Sequence, residues 1–103
     1  YVERFNIIGN YDRIVGIGQA MNMDEYFSTG LYPDKAMAVI GGIKRFADFV
    51  GIPANLKVLG VKPEDFEIMA ENAMKDACAV TNPRKAKKEQ IIEIYRQAYE
   101  GQL

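Results

Sequence analysis

The side chains that most enzymes use for acid–base and metal chemistry are scarce in this chain of 103 residues. It contains no histidine and one cysteine, Cys78. Without histidine there is no Ser-His-Asp or Cys-His nucleophile, no imidazole base and no His-ligated zinc or iron. One cysteine also excludes an internal disulfide and a multi-cysteine metal site. We therefore expect no catalytic, cofactor-binding or metal-ligating residue in the chain itself.

Cys78 is the one side chain that invites a role close to a reaction. A lone cysteine on a helix is most often a small buried hydrophobe. The helical pattern places it near the C-terminal end of its helix, where the helix dipole disfavours a thiolate, and no imidazole is present to activate it. Asp76, two residues earlier, is expected to point away from Cys78, either exposed or capping a neighbouring segment. The residues alone argue against a nucleophile and leave open a side chain that lines a pocket.

Three further motifs are each better explained by ordinary structure. Gly16-x-Gly18 lacks a third glycine and a preceding strand, so we do not expect a phosphate-binding turn. An acidic group at a predicted helix start has no calcium-loop spacing and suits the positive end of the helix dipole. A basic run lacks interleaved aromatic residues in a chain of formal net charge −1, which disfavours nucleic-acid binding. The acidic group is Glu64, Asp65, Glu67 and Glu71, and the basic run is Arg84, Lys85, Lys87 and Lys88.

Helices must position all of these residues, because apolar spacings of three and four recur and no period-two alternation is long enough for a strand. The first helix follows Asn10 as its N-cap, with Ile14, Ile17 and Met21 on its apolar face. Residues 22–31 are predicted to form a loop. The longest helix begins at Pro33 and ends near Val50, before Gly51. Its apolar face is predicted to contain Ala36, Ile40, Ile43, Ala47 and Val50, widened by Val39, Phe46 and Phe49.

The second half of the chain is predicted to add a short turn and two helices. Residues 55–59 form one turn closed by Gly60, and the next helix runs from Pro63 to about Cys78 or Ala79. Asn82-Pro83 forces a break, because the residue before a proline avoids the helical region. The last helix covers residues 87–100 and ends at Gly101. The two buried faces are predicted to contain Phe66, Met69, Ala70, Ala73 and Ala77, and Ile91, Ile92, Tyr95, Ala98 and Tyr99.

Composition and pattern together predict an all-α fold, a helical bundle of about four main helices plus a short turn, with residues 1–103 as a single unit. Hydrophobic residues make up 49% and charged residues 26% of the chain, as in an ordinary globular protein. No apolar run reaches the roughly 18–20 residues of a membrane span. A single cysteine suits a reducing compartment, so we expect a cytoplasmic protein.

Several segments, in order, resemble the C-terminal end of the iron-containing (group III) alcohol dehydrogenases. The resemblance is carried by AENAMKDAC at residues 70–78, TNPR at 81–84 and IIEIYRQA at 91–98. Upstream, VGIP at 50–53 with Leu56 and LGV at 59–61 is similar to the family's connector. YVERFN at 1–6 resembles the stretch that follows the family's His-Gly metal-binding segment. The resemblance covers essentially the whole chain.

The family's members are two-domain, dehydroquinate-synthase-like enzymes. An N-terminal dinucleotide-binding domain precedes an all-helical domain that supplies one Asp and three His ligands to a catalytic metal. The resemblance implies that residues 1–103 are the last part of the helical domain, that the ligands and the cofactor domain precede Tyr1, and that this fragment alone is inactive. The full enzyme would use iron or zinc and NAD(P) to interconvert small alcohols with aldehydes or ketones. Only Cys78 falls near the family's substrate and nicotinamide pocket.

A second hypothesis stays open from the residues alone. The chain could be a stand-alone helical interaction module whose partner-binding surface is formed by Val39, Ile43, Phe46 and Phe49. Under the first hypothesis, the chain's main partner is the missing N-terminal part of its own polypeptide. Copies of the isolated chain are then expected to associate into a homo-oligomer through the face that the missing residues would cover.

Overall fold

The computed structural model describes residues 1–23 and 32–103, and for residues 32 and 33 it describes the backbone alone. The described residues form six α-helices and two 3₁₀ turns and contain no strand. Four of the helices have ten or more residues, which confirms the all-α prediction. The predicted loop over residues 22–31 lies, after Met23, outside the described residues. The helices are α1 (Val2–Asn6), α2 (Tyr11–Ala20), α3 (Tyr32–Phe49), α4 (Phe66–Lys75), α5 (Ala77–Thr81) and α6 (Lys88–Glu100).

The described residues divide into two compact units. One unit contains residues 3–52, and the other contains residues 1–2 together with 53–103. The prediction of a single unit over residues 1–103 stays a prediction.

In the unit of residues 3–52, α2 packs against α3. The buried face of α2 is formed by Ile14, Val15 and Gly18, whereas Ile17 is exposed. The predicted apolar face of this helix was therefore wrong at Ile17. The side of α2 that faces α3 passes instead through Ile14 and Gly18, which are four residues apart and so lie on one side of the helix. The core cluster contains Ile7, Ile14, Val15, Ala36, Val39 and Ile40, with Tyr11 and Ile43 packed against it.

A pair of glycines in the middle of α3 has a packing explanation at one of its two positions. Each glycine is expected to cost a helix about 1 kcal/mol relative to alanine. A Cβ atom added to Gly42 would lie 2.6 Å from Sδ of Met23 and closer still to its Cε. Met23 is a buried residue, so the bare backbone of Gly42 makes room for it. At Gly41 the nearest atom would be Nη1 of Arg45, at 3.4 Å.

The C-terminal half of α3 is more exposed than its apolar pattern predicts. Ala36, Val39 and Ile40 are buried as predicted, but Val50 is exposed. The helix α2 has ten residues and spans about 15 Å, whereas the eighteen residues of α3 span about 27 Å. A short helix cannot cover a much longer one. The end of α3 agrees with the prediction, since the helix ends at Phe49 and Gly51 follows in the left-handed region at φ 81°.

In the other unit, α4 packs against α6 through an aromatic cluster. The buried ring of Phe66 lies 6.4 Å from the ring of Tyr95 and meets Tyr99 edge-on at 5.6 Å between centroids. Nζ of Lys57 lies 5.2 Å from the centre of the Tyr99 ring. These contacts hold the 3₁₀ turn Lys57–Leu59, which Gly60 closes at φ 80°, beside α6.

The start of α4 differs from its prediction in detail. Pro63 opens a 3₁₀ turn, Pro63–Asp65, which leads into the α-helix at Phe66. Phe66 and Ala70 are buried as predicted, but Ala77 is exposed because the helix ends before it. At the other end of the unit, α6 ends at Gly101 with φ 70°, as predicted.

Candidate functional site

The predicted helix through Cys78 is broken at Asp76. The backbone of Asp76 is extended, with φ −68° and ψ 135°, so α4 ends at Lys75 and the separate short helix α5 begins at Ala77. Oδ1 of Asp76 accepts a hydrogen bond of 2.7 Å from the backbone N–H of Cys78. Asp76 is thus the N-cap of α5, one of the two structural roles predicted for it.

This cap corrects two predictions about Cys78. The residue lies at the start of α5 rather than near the C-terminal end of a long helix, and Asp76 faces it instead of pointing away. Cys78 is also exposed, not a small buried hydrophobe. The physical reason is the same in each case: the Asp76 carboxylate replaces one helical hydrogen bond by a cap and redirects the chain.

The electrostatics of this pair disfavour a nucleophile. A hydrogen bond from the thiol to the Asp76 carboxylate, together with the negative charge of that carboxylate, raises the pKa of Cys78. The Cys78 backbone N–H and then the thiol hold the pKa of Asp76 below its usual value. Cys78 is therefore a neutral thiol at neutral pH, which is suited to contact with a neighbouring molecule and unsuited to attack on one.

The segment after Cys78 is folded back by local hydrogen bonds. Oγ1 of Thr81 donates to the carbonyl of Cys78 at 3.1 Å, and Nδ2 of Asn82 donates to the carbonyl of Arg84 at 2.5 Å. Nζ of Lys85 donates to the carbonyl of Val80. Asn82, before Pro83, is extended at ψ 130° and ends α5, so the predicted break at Asn82-Pro83 is confirmed.

The acidic group and the basic run meet across α4 and α6. Nζ of Lys88 lies 2.7 Å from Oε1 of Glu71 and 3.0 Å from Oε1 of Glu67. The hydrogen bond to Lys88 lowers the pKa of Glu71, and the hydrogen bonds to Glu71 and then Glu67 raise the pKa of Lys88. These charges connect two helices. This pairing was not predicted from the sequence, because Glu67 and Glu71 lie 21 and 17 residues before Lys88.

The described side chains do not form a site for a catalytic metal. Histidine is absent from all 103 residues. Within residues 1–23 and 32–103, no group of three or more Cys, Asp and Glu side chains lies close enough to hold a metal ion. Gly16 and Gly18 lie inside α2 with no strand before it, so they do not form a phosphate-binding turn.

The predicted partner surface of the interaction-module hypothesis is only partly exposed. Val39 is fully buried and Ile43 packs against the core, so neither lies on a surface available to a partner. The prediction was wrong for these two residues because α2 covers the N-terminal half of α3. Phe46 and Phe49 are exposed.

Comparison with known proteins shows the protein family to which this chain belongs. The pattern of the Fe-containing alcohol dehydrogenase family, C-terminal part, matches residues 1–99. This chain belongs to the iron-containing alcohol dehydrogenase family. The 1,3-propanediol dehydrogenase of Citrobacter freundii is 41% identical over 100 residues, which are 96% of this chain and 25% of that protein. The NAD-dependent methanol dehydrogenase of Bacillus methanolicus is 31% identical over 99 residues, 95% of this chain and 25% of that protein.

The solved structures agree with this membership. The crystal structure of a 1,3-propanediol oxidoreductase matches with a TM-score of 0.89 and 40% identity over 95% of this chain and 25% of that one. The chain thus spans about a quarter of the length of these iron-containing alcohol dehydrogenases, and it is similar to their C-terminal part. None of the helices in the described part is both long and apolar enough to cross a membrane.

Proposed function

We propose that this chain is the last part of the helical domain of a metal-dependent, NAD(P)-linked alcohol dehydrogenase that interconverts small alcohols with aldehydes or ketones. The match of residues 1–99 to the C-terminal part of the family carries the proposal. The names of two relatives, a 1,3-propanediol dehydrogenase and a methanol dehydrogenase, support small alcohols as the substrate class. The cytoplasm is the proposed location, which the single cysteine supports.

The metal and the nicotinamide are proposed to be held by polypeptide outside these 103 residues. The absence of histidine and the lack of a metal-binding cluster in the described residues support this division. No chemical step is assigned to a residue of this chain, which by itself is expected to be inactive. Its helices would form one wall of the larger enzyme.

The activity is tested on the longer parent chain. The parent is purified, loaded with iron or zinc, and assayed by NADH or NADPH absorbance with methanol, ethanol and 1,3-propanediol. We expect oxidation of at least one alcohol, loss of activity after chelation and recovery when metal is returned. A parent with neither bound metal nor activity on any alcohol or aldehyde contradicts the proposal.

Within that enzyme we propose that Cys78 lines the substrate pocket. Its exposure leaves the thiol available to a molecule outside this chain, and its raised pKa keeps it neutral beside an alcohol. In the parent, Cys78→Trp is expected to raise KM for the larger alcohols with a smaller effect on methanol. The matched control is Val80→Trp on the same short helix, where the side chain is also exposed. Equal effects of the two substitutions would remove Cys78 from the pocket.

The interaction-module hypothesis keeps one observation in its favour, the exposure of Phe46 and Phe49. The two functions differ in the size of the native protein. A mass measurement on protein from its natural source gives either a chain near 11.6 kDa, as for an independent module, or one about four times larger.

A further inference from the structure

The strongest unexplained feature of the described surface is the end of α3. Phe46 is 59% exposed and Phe49 is 87% exposed, and Val50 and Ile52 beside them are also more than half exposed. These four residues are called the α3 overhang below. Large apolar side chains that are neighbours in space and exposed together typically mark an interaction site.

The overhang continues a face that is buried earlier in the same helix. Val39, Ile43, Phe46 and Val50 follow one another at spacings of four, three and four, which places them along one side of α3. Along this line the burial falls steadily: Val39 is fully buried, Ile43 is half-buried, and Phe46 and Val50 are exposed. One apolar face is therefore covered at its start and uncovered at its end.

The polar, solvent-facing side of α3 lies opposite the line that runs from Val39 to Val50. Met37, Gly41, Lys44 and Asp48 repeat at the same spacings on the opposite side of the helix. Nζ of Lys44 and Oδ2 of Asp48 lie 2.8 Å apart in an exposed ion pair. Lys44 and Asp48 thus have each other as partners.

Helix length explains why the cover stops where it does. The core cluster of this unit reaches along α3 from Ala36 to Ile43. The helix α2 is about 12 Å shorter than α3. The overhang lies beyond that cluster, and its four side chains are left more than half exposed.

We propose that the polypeptide preceding Tyr1 in the full-length enzyme docks an apolar helix face on the α3 overhang. This inference rests on the proposed function, because it takes its occupant from the missing part of the same chain. The relatives are about four times as long as this chain, which covers 25% of each, so most of the polypeptide that could supply the cover is absent here. A surface formed by large apolar side chains suits a permanent, intramolecular contact.

The test compares two substitutions in the parent enzyme, Phe49→Asp and Met37→Asp. In the present chain Phe49 is 87% exposed and Met37 is 45% exposed, so without a cover Phe49→Asp is the milder change. With the cover in place the order reverses, because the new carboxylate at residue 49 is buried without a partner. We expect Phe49→Asp to lower the unfolding midpoint of the parent by several degrees more than Met37→Asp does. A Phe49→Asp parent as stable as the Met37→Asp parent overturns the proposal.

Two further measurements keep the result interpretable. Hydroxyl-radical footprinting of the unmodified parent is expected to protect Phe49 in the native enzyme relative to the urea-unfolded enzyme, and equal labelling overturns the proposal even if the variant fails to fold. Sedimentation of the parent is expected to give the same oligomer before and after Phe49→Asp. Dissociation would instead assign the overhang to a second copy and overturn the intramolecular contact. A stable, protected parent that lacks alcohol dehydrogenase activity would refute the proposed function alone.

Discussion

Replacing the two adjacent glycines of α3 by alanine should change stability by clearly different amounts. Alanine is favoured over glycine in a helix by about 1 kcal/mol. Gly41→Ala should therefore stabilise the chain by up to about 1 kcal/mol, because its Cβ would meet only Nη1 of Arg45, at an ordinary 3.4 Å. At Gly42 the same gain is opposed by overlap with Met23, where the added Cβ would lie 2.6 Å from Sδ.

The cost at Gly42 can be estimated from overpacking. Inserting one methyl group into a packed site typically costs about 1–3 kcal/mol. The overlap is with the flexible end of Met23, which favours the lower part of that range. After the helix gain is subtracted, Gly42→Ala should lie between neutral and about 1 kcal/mol destabilising, roughly 1–2 kcal/mol less stable than Gly41→Ala. For a chain of this size that difference is about 4–16 °C in the unfolding midpoint.

The assay is thermal unfolding of the chain, followed by far-UV circular dichroism at one low protein concentration. Gly16→Ala in α2 is the external control, since its Cβ would meet nothing within 4 Å and the gain should appear undiminished. A double variant isolates the contact: Met23→Ala should make Gly42→Ala stabilising. If Gly42→Ala alone stabilises the chain as much as Gly41→Ala, the close approach of Met23 does not explain the glycine.

Three other expectations concern the core and the charged groups. Val39→Ala, at a fully buried site, should destabilise the chain by about 2 kcal/mol in urea unfolding, and a loss below about 0.5 kcal/mol would contradict its core position. Asp76→Asn should lower the pKa of the Cys78 thiol, so its reaction with a maleimide should speed up at neutral pH; an unchanged pH profile would show that the Asp76 charge does not control the thiol. Because Lys88 lowers the pKa of Glu71, the stability from this pair is present above the ordinary glutamate value of 4.5 and is lost as pH falls through the lower folded value. Glu71→Gln should remove that part of the pH dependence, and an identical acid profile would refute the pairing.

The sequence predicts the helices well where the chain itself contains the signal for where each helix starts or stops. Gly51 and Gly101 both have positive φ and follow the ends of their helices, because glycine adopts that conformation without a steric penalty. Asn82 before Pro83 ends α5 for an equally local reason. Each of these helix ends depends on the backbone preferences of one or two residues. Such preferences can be predicted from the residue types alone.

The break at Asp76 shows where local signals are insufficient. Lys75, Asp76, Ala77 and Cys78 contain neither glycine nor proline, and the apolar spacing continues through them, so a single helix was the natural prediction. The available signal for a break was Asp76 itself, because an aspartate can act as an N-cap by accepting a hydrogen bond from the backbone N–H two residues later. Asparagine and aspartate also fit helix interiors of similar pattern, so this signal does not decide the matter. The consequence for the candidate site is large, because the break exposes Cys78 and turns the Asp76 carboxylate toward it.

Asn10 shows a related limit. It lies at the N-cap of α2, as predicted, but its side chain accepts no hydrogen bond from the helix. Instead Nδ2 donates to the carbonyl of Asn6 at 3.1 Å, which ties the end of α1 to the start of α2. A residue type predicts the position of a cap better than it predicts which neighbouring group the side chain binds, because several backbone groups lie within its reach.

The energetic weight of the α3 overhang follows from its size. Full burial of a phenylalanine is worth about 1.5–3 kcal/mol, and Phe46 and Phe49 are 59% and 87% exposed, so covering what remains exposed would contribute about 2–4 kcal/mol. A whole domain is typically stable by only 5–15 kcal/mol, and a unit of about fifty residues buries a smaller share of its surface than a large one. Covering the overhang would therefore add a contribution that is large beside the typical stability of a unit this small. Since α2 is too short to supply that cover, the proposed contact with the preceding polypeptide would provide it.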